Sequence, residues 1–552
     1  MKTTLLALSL ALLVIVAFAQ EKVDQTTDAK MRSEELEHSE IMHTLHMLTD
    51  RYGPRVTGTP NHEQAAKWAA SQMTQWGMKN AHLEPWEFGH PGWLNESASG
   101  HINAPVHENI KFEVLAWTPS TPGKVTASAI EIVPPQGPMA PVDPAAAGRG
   151  GRGAAAPVRL GPAKSEFDQW IAATRAKVAG KVVLIGKAAV IPVNFDLPAK
   201  RRDDAQVKAQ YDPAGTGAGG FGRGAAPAAP ADATRYMANE ANALVDAMLV
   251  AGKAAVRVND AARADGVIVA QQHRGYDPAT AVPTVILRND DYGRVERLLA
   301  DGEDVKLDFD IVNHVYPEGK TSYNTIGEIP GTDKTDEVVM LGGHLDSWHG
   351  GTGATDNAIG CSIMMEAARL IQNSGVKPRR TIRVALWSGE EEGLLGSLAF
   401  VKAHFGTAED PKPEFAKLDA YFNVDSGTGR LRGASIFGPT EAAALLRPVF
   451  KQFEDWGFAG AIASSSRVVA GTDSTSFNNA GLPGIGLSQD PIEYGSLTHH
   501  TNLDTYERII PDDVEKAAAI VAAGVLHLAN RDEMVPRFAK DKMPAPVKIP
   551  EF

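Results

Sequence analysis

The sequence predicts an α/β protein: a mostly parallel, doubly wound sheet with an α+β unit inserted into it. Three observations carry this. Through residues 301–531, short apolar runs alternate with stretches whose apolar residues recur every three or four positions. Such alternation means parallel strands joined by crossover helices. Several of those runs are followed at once by histidine or carboxylate residues, at the strand ends where open α/β sheets bind ligands. Finally, the chain has 552 residues and changes character near Leu115, so more than one core is expected.

Taken in order, residues 1–19 read as a signal peptide. Lys2 gives the positive start, residues 5–16 the apolar middle, and Ala17-Phe18-Ala19 the small-x-small cleavage site. The apolar run is short of the ~20 residues a bilayer span needs, and no later segment could span. The mature protein is therefore expected to be secreted or periplasmic, with no stable membrane span after cleavage. Residues 23–40 are charged and expected to fray. Residues 41–50 and 61–78 read as helices; in the second, Ala65, Ala66, Trp68, Ala69, Met73 and Trp76 form one apolar stripe, read as core packing. Residues 81–88 read as a strand.

Residues 115–300 are expected to form the inserted unit, roofing the site or shaping its entrance and carrying nothing catalytic. Strand-like pieces at 124–133, 181–185, 255–258, 267–270 and 283–287 accompany helical stretches at 240–250 and 291–299. Residues 134–157 and 212–232 are rich in Gly, Ala and Pro, the composition of disordered surface loops. The expected division is thus 1–19, 20–114, 115–300, 301–531, and a tail, 532–552.

In residues 301–531, 325–329, 338–341, 381–387, 420–424 and 483–487 read as strands, and 441–453 and 511–528 as helices. Pro511 and two aspartates in the first turn suit the start of the last helix.

Composition excludes some functions. Net charge is −13, with 67 acidic and 54 basic side chains and no Lys/Arg-rich run, which argues against a nucleic-acid partner. Arg149, Arg152 and Arg223 in Gly-Arg-Gly contexts are too few to change that. The single cysteine, Cys361, rules out an intrachain disulfide. It reads as a buried, inert thiol.

The chemistry gathers at strand ends. His344 and Asp346 follow the run 338–341, and Asp356 lies twelve residues after His344, where a helix begins. Glu390 and Glu391 emerge past 381–387, Asp425 past 420–424, and His500 in the loop 494–505. Imidazole plus carboxylate suits zinc and similar ions. Carboxylates clustered at the ends of apolar strands repel one another unless a cation neutralises them. A catalytic zinc needs three protein ligands. The five candidates His344, Asp356, Glu391, Asp425 and His500 over-supply one metal and suit two if Asp356, central in the set, bridges. Asp346 would hold a ligand in place from behind.

The segments Gly343-His344-Leu345-Asp346-Ser347, Thr355-Asp356-Asn357, Ser388-Gly389-Glu390-Glu391-Glu392-Gly393, Val424-Asp425-Ser426 and His500-Thr501-x-x-Asp504-Thr505 resemble the co-catalytic dizinc exopeptidases. That family includes secreted aminopeptidases and glutamate carboxypeptidases. Arg51-Tyr-Gly-Pro-Arg55, the paired His499-His500 and Asp532-Glu-Met-Val-Pro536 resemble its carboxypeptidase Q branch, and the inserted region resembles a protease-associated domain. The resemblance implies two Zn²⁺ per chain. His344, Asp356 and Asp425 would hold one; Asp356, Glu391 and His500 would hold the other. It implies Glu390 as general base, a peptide substrate and a possible homodimer. His499 falls where some relatives carry a tyrosine that steadies the tetrahedral intermediate; donor and rim residue both stay open for it, as does a role for Asp473. The activity implied is hydrolysis of dipeptides or short peptides from the carboxyl end. The alternatives are an aminopeptidase, a single-zinc amidohydrolase or glutaminyl cyclase, and a non-catalytic binding protein on the same scaffold.

Overall fold

A computed structural model describes residues 23–139, 159–196, 199–213, 232–273, 275–468 and 471–548. The expected signal peptide and most of the two Gly/Ala/Pro-rich tracts lie outside the described residues. No helix among the described residues is long and apolar enough to cross a membrane.

Two eight-stranded sheets organise the chain. At the centre of the first, Arg380–Trp387, Lys334–His344, Leu418–Val424 and Gly484–Gln489 lie side by side and parallel. Their central stretches, such as 338–341 and 384–387, are continuously apolar because helices cover both faces. Ile359–Ser374 and Pro511–Asn530 pack together on one face with Pro60–Gln75. Leu395–His404 and Ser474–Ala480 lie on the other, around Trp387, Phe400, Tyr421 and Phe477.

The expectation of a mostly parallel sheet holds for this centre and not for its flanks. Thr321–Ile329 runs antiparallel to Arg380–Trp387, and Lys79–Glu87 antiparallel to it in turn. On the far side Leu431–Phe437 is antiparallel to Gly484–Gln489 and carries Ala461–Ser464 parallel at the edge.

The second sheet takes Gly92–Ala104 and Lys306–Tyr316 as paired antiparallel strands beside Val125–Ile132, Val182–Ile185, Val256–Asp260 and Thr284–Leu287, which are mutually parallel. The expected boundaries at 115 and 300 therefore cut through this sheet. Gly92–Ala104 joins this sheet through pairing with Lys306–Tyr316, a partner far along the chain. Both chain crossings between the sheets pass loop 56–59 at backbone contact. A Cβ on Gly92 would lie 2.0 Å from the Gly58 carbonyl oxygen, so no larger residue fits there.

Three local expectations fail. Residues 25–38 form a helix, Gln25–His38, capped by Asp24, which accepts from Thr27 N–H. Its charges have fixed partners: Glu34 pairs with Arg369 at 2.9 Å, and Arg32 stacks over Trp456, while Met31 is buried. The stretch 441–453 breaks into Thr440–Ala444, Arg447–Phe450 and a tighter turn, Lys451–Trp456. Pro448 cannot donate within a continuous helix. Residues 267–270 form no strand; Val269 makes a single bridge to Thr501.

His62, in helix Pro60–Gln75, is buried, and burial pushes its pKa down to about 3. The unfolded chain takes up this proton near pH 6.5. Between the two values the unfolded state binds the extra proton, so stability falls as pH is lowered through that window, by at most about 1.4 kcal/mol per pH unit. His62→Leu is expected to melt like the parent at pH 7.5 and to lose less of its Tm by pH 4.5. Thermal melts across that range check this.

Candidate metal centre

Five separate chain segments deliver side chains to the carboxyl end of the central parallel strands. Strand Lys334–His344 ends on His344 itself, and Leu418–Val424 ends one residue before Asp425. Past Arg380–Trp387 the chain turns through Gly389, whose φ is +70°, and presents Glu390 and Glu391. Asp356 lies in the turn Ala354–Ala358 that leads into helix Ile359–Ser374. His499 and His500 come from the loop after Tyr494–Thr498.

The structure brings all of these together. Asp356 Oδ1 is 3.3 Å from His344 Nε2, and Asp356 Oδ2 is 3.2 Å from His500 Nε2. Asp425 Oδ1 lies 3.5 Å from His344 Nε2, and Glu391 Oε2 lies 2.9 Å from His500 Nε2. Glu390 Oε2 is 3.9 Å from His344 Nε2. The Asp356 carboxylate thus faces one imidazole with each oxygen, and each imidazole has a further carboxylate beside it. His499 also reaches the cluster, with Nε2 3.8 Å from Asp356 Oδ2 and its ring stacked on His500 at 3.7 Å. Tyr494, not singled out in the sequence, places its hydroxyl 3.4 Å from Asp425 Oδ1.

The supports are specific. The carbonyl of Asp346 accepts from His344 Nδ1–H at 3.0 Å, which leaves Nε2 facing the cluster. Its carboxylate, 3.7 Å from the ring, accepts the backbone N–H groups of Glu390 at 3.3 Å and Glu391 at 3.2 Å. Asp346 therefore orients the His344 ligand through its backbone and the Glu390-Glu391 turn through its side chain. Asp504 accepts the N–H groups of Thr355 at 2.6 Å and Asp356 at 3.1 Å. Arg55, fully buried, donates to the carbonyls of Leu345, Leu48, Thr352 and Gly353, tying the His344 loop to the Asp356 turn.

Charge is out of balance here. Burial pushes Glu391 up to about 7, with His500 opposing, and pushes the fully buried Asp473 to about 7 as well. Burial, then Asp425, Asp473 and Glu391, holds Glu390 well above the usual carboxylate range. Burial opposes a charge on His344, but Glu390 and Asp425 hold its pKa well above normal. Buried Asp356 is held well below normal by His344 and His500. Among the described residues the buried atoms His344 Nε2, Asp356 Oδ2 and Glu391 Oε1 make no hydrogen bond of ordinary geometry, although His344 Nε2 and Asp356 Oδ2 stand 3.3 and 3.2 Å from ion-pair partners. Buried carboxylates in this number, with imidazole lone pairs among them, form a donor set suited to divalent cations, and zinc fits it. His344, Asp356 and Glu391, and separately Asp356, His499 and His500, each offer ligand atoms within 4.8 Å of one another.

Asp356 is fixed from behind by Asn357, whose Nδ2–H donates to the Val424 carbonyl at 2.9 Å and whose Oδ1 accepts from Gly360 N–H at 3.1 Å. A Cβ on Gly360 would stand 2.1 Å from that Oδ1. Gly360→Ala is therefore expected to cost about 1–3 kcal/mol of stability and to weaken metal binding by displacing Asp356. Thermal melts of the metal-free protein and a zinc titration check both.

Arg55 and Tyr494 were missed as site residues. Arg55 sits in the quoted Arg51–Arg55 segment, but nothing in its spacing shows that from a buried position it bonds backbone carbonyls at Leu48, Leu345, Thr352 and Gly353. Gln271, from the second sheet's unit, was also missed: its side-chain amide lies 2.9 Å from His500 Nδ1.

Residues 324–525 match the model of peptidase family M28. Mouse carboxypeptidase Q is 31% identical over 261 residues, 47% of this chain and 53% of that protein. The match thus spans about half the length of that relative. Among solved structures, a peptidase M28 precursor from Shewanella amazonensis superposes with a TM-score of 0.62 at 21% identity, covering 95% of this chain and 99% of the other. A zinc aminopeptidase from Bacillus subtilis gives a TM-score of 0.52 at 17% identity, over 91% and 98%. These two are similar in fold.

Proposed function

We propose, from the match of residues 324–525 to the model of peptidase family M28, that this chain is an exported dizinc exopeptidase that hydrolyses dipeptides or short peptides from the carboxyl end. The observation that supports this most is the placement of Asp356, with one carboxylate oxygen turned to His344 and the other to His500 at 3.3 and 3.2 Å.

In this reading His344, Asp356 and Asp425 hold one zinc, and Asp356, Glu391 and His500 hold the other. Zinc bound there would supply Lewis acidity, lowering the pKa of the attacking water and polarising the scissile carbonyl. Glu390, next to a committed ligand but free of that duty, takes a proton from the water as its oxygen attacks the carbonyl carbon. When the C–N bond breaks, the Glu390 carboxyl returns that proton to the leaving amine. In this reading His499, at the partly exposed edge, would donate to the developing oxyanion. The polypeptide relative named carboxypeptidase Q supports carboxyl-end cleavage.

The test is a panel of free dipeptides, amino-blocked dipeptides and carboxyl-amidated dipeptides, assayed with and without chelator. The expected result is zinc-dependent hydrolysis that tolerates the amino block and not the amide. Cleavage that tolerates the amide and not the amino block would make the enzyme an aminopeptidase. No cleavage of any member by zinc-loaded protein would overturn the proposal.

A further inference from the structure

Among the described residues, the second sheet's unit reaches the metal centre along residues 266–271, where it touches a proposed ligand. Residues 266–271 lie along the loop that carries His499 and His500. Ile268 N–H donates to Asn502 Oδ1 at 2.8 Å, and Asn502 N–H donates back to the Ile268 carbonyl at 3.1 Å. Asn502 Nδ2–H donates to the Gly266 carbonyl at 3.3 Å, and Val269 bridges Thr501. At the end of this seam Gln271 Nε2 stands 2.9 Å from His500 Nδ1, and turning the side-chain amide over places Oε1 at that position. His500 itself has a φ of +60°, a left-handed conformation unusual for a residue with a side chain, which persists only where neighbours hold it.

The imidazole geometry defines what Gln271 must do. His500 Nε2 faces Asp356 and Glu391, and a ring that offers the Nε2 lone pair to a cation carries its proton on Nδ1. That Nδ1–H needs an acceptor. The amide oxygen and nitrogen of glutamine occupy equivalent positions, and Oε1 turned toward the ring supplies the acceptor.

We propose that Gln271 is a positioning residue for His500: by accepting from Nδ1–H it fixes the tautomer and plane of this ligand, so that the second sheet's unit sets the affinity of one metal position and not the other. The proposal rests on the dizinc reading above. Outer partners of metal-bound histidines typically contribute ten- to a hundredfold to metal affinity. Asp346 supplies the acceptor for His344 from the main sheet; Gln271 does the same for His500 from the other sheet.

The experiment is a chelator-buffered zinc titration of the full chain, with a thermal melt of each metal-free sample. Gln271→Leu keeps the size and removes the acceptor; Gln271→Glu keeps an acceptor. For Gln271→Leu the expected result is one affinity lowered ten- to a hundredfold, the other within twofold of the parent, and an unchanged melt. Gln271→Glu should restore the lost affinity. Two unchanged affinities in Gln271→Leu would overturn the proposal. So would equal weakening of both with a lowered melt, which marks a merely structural role, or failure of Gln271→Glu to restore binding. A parent protein that takes up fewer than two zinc ions would overturn the dizinc reading itself, and this inference with it.

Discussion

Glu390→Gln is expected to lose peptide hydrolysis by at least ~10²-fold, and up to ~10⁴-fold, the range of a missing general base, while binding zinc as the parent does. The amide keeps the size of the side chain and cannot take a proton. Glu390 lies 3.9 Å from His344 Nε2, farther than Asp356 or Asp425, and although its carboxylate falls within ligand reach of His344 and Asp425, the proposed reading gives it no metal to hold. The backbone N–H of Glu390 is held by Asp346 and stays held in the variant. Zinc content and turnover measured on one sample separate the two roles: equal activity would show that the base is another group, and lost zinc would show that Glu390 is a ligand.

Asp356→Ala is expected to lose both metals and to fall below detectable activity. Asp425 lies against His344, and Glu391 lies 2.9 Å from His500 with His344 more distant, within 4.8 Å. Only Asp356 faces both imidazoles. Its removal also leaves His344, Glu391 and Asp425 in a buried pocket with less to organise them, whereas Asp504 keeps the backbone of the turn in place through Thr355 and Asp356 N–H. Asp425→Ala, by contrast, should lose one zinc and keep the other. Metal analysis of the two variants side by side checks this: a single zinc retained in Asp356→Ala would show that the carboxylate does not bridge.

The legible part of this molecule is what short-range pattern controls. The apolar runs 338–341, 381–387 and 420–424 lie within the strands Lys334–His344, Arg380–Trp387 and Leu418–Val424, because strands buried on both faces are apolar throughout. Residues placed just past such strands arrive at one rim whatever the rest of the chain does, which is why His344, Glu390 and Asp425 could be grouped in advance. The illegible part depends on partners far along the chain. Gly92–Ala104 belongs to the second sheet through pairing with Lys306–Tyr316, some two hundred residues away. Gln25–His38 looks unpatterned because its charges serve Arg369 and Trp456 instead of solvent. Arg55 and Gln271 act on the site through carbonyls and a single imidazole nitrogen, and neither contact leaves a spacing in the sequence.

The most direct measurement is anomalous diffraction at the zinc edge from crystals of the zinc-loaded protein. Two peaks ~3.5–4 Å apart are expected, one beside each carboxylate oxygen of Asp356, with His344 and Asp425 around one and Glu391 and His500 around the other. A single peak, or peaks that leave Asp356 uncoordinated, would contradict the account.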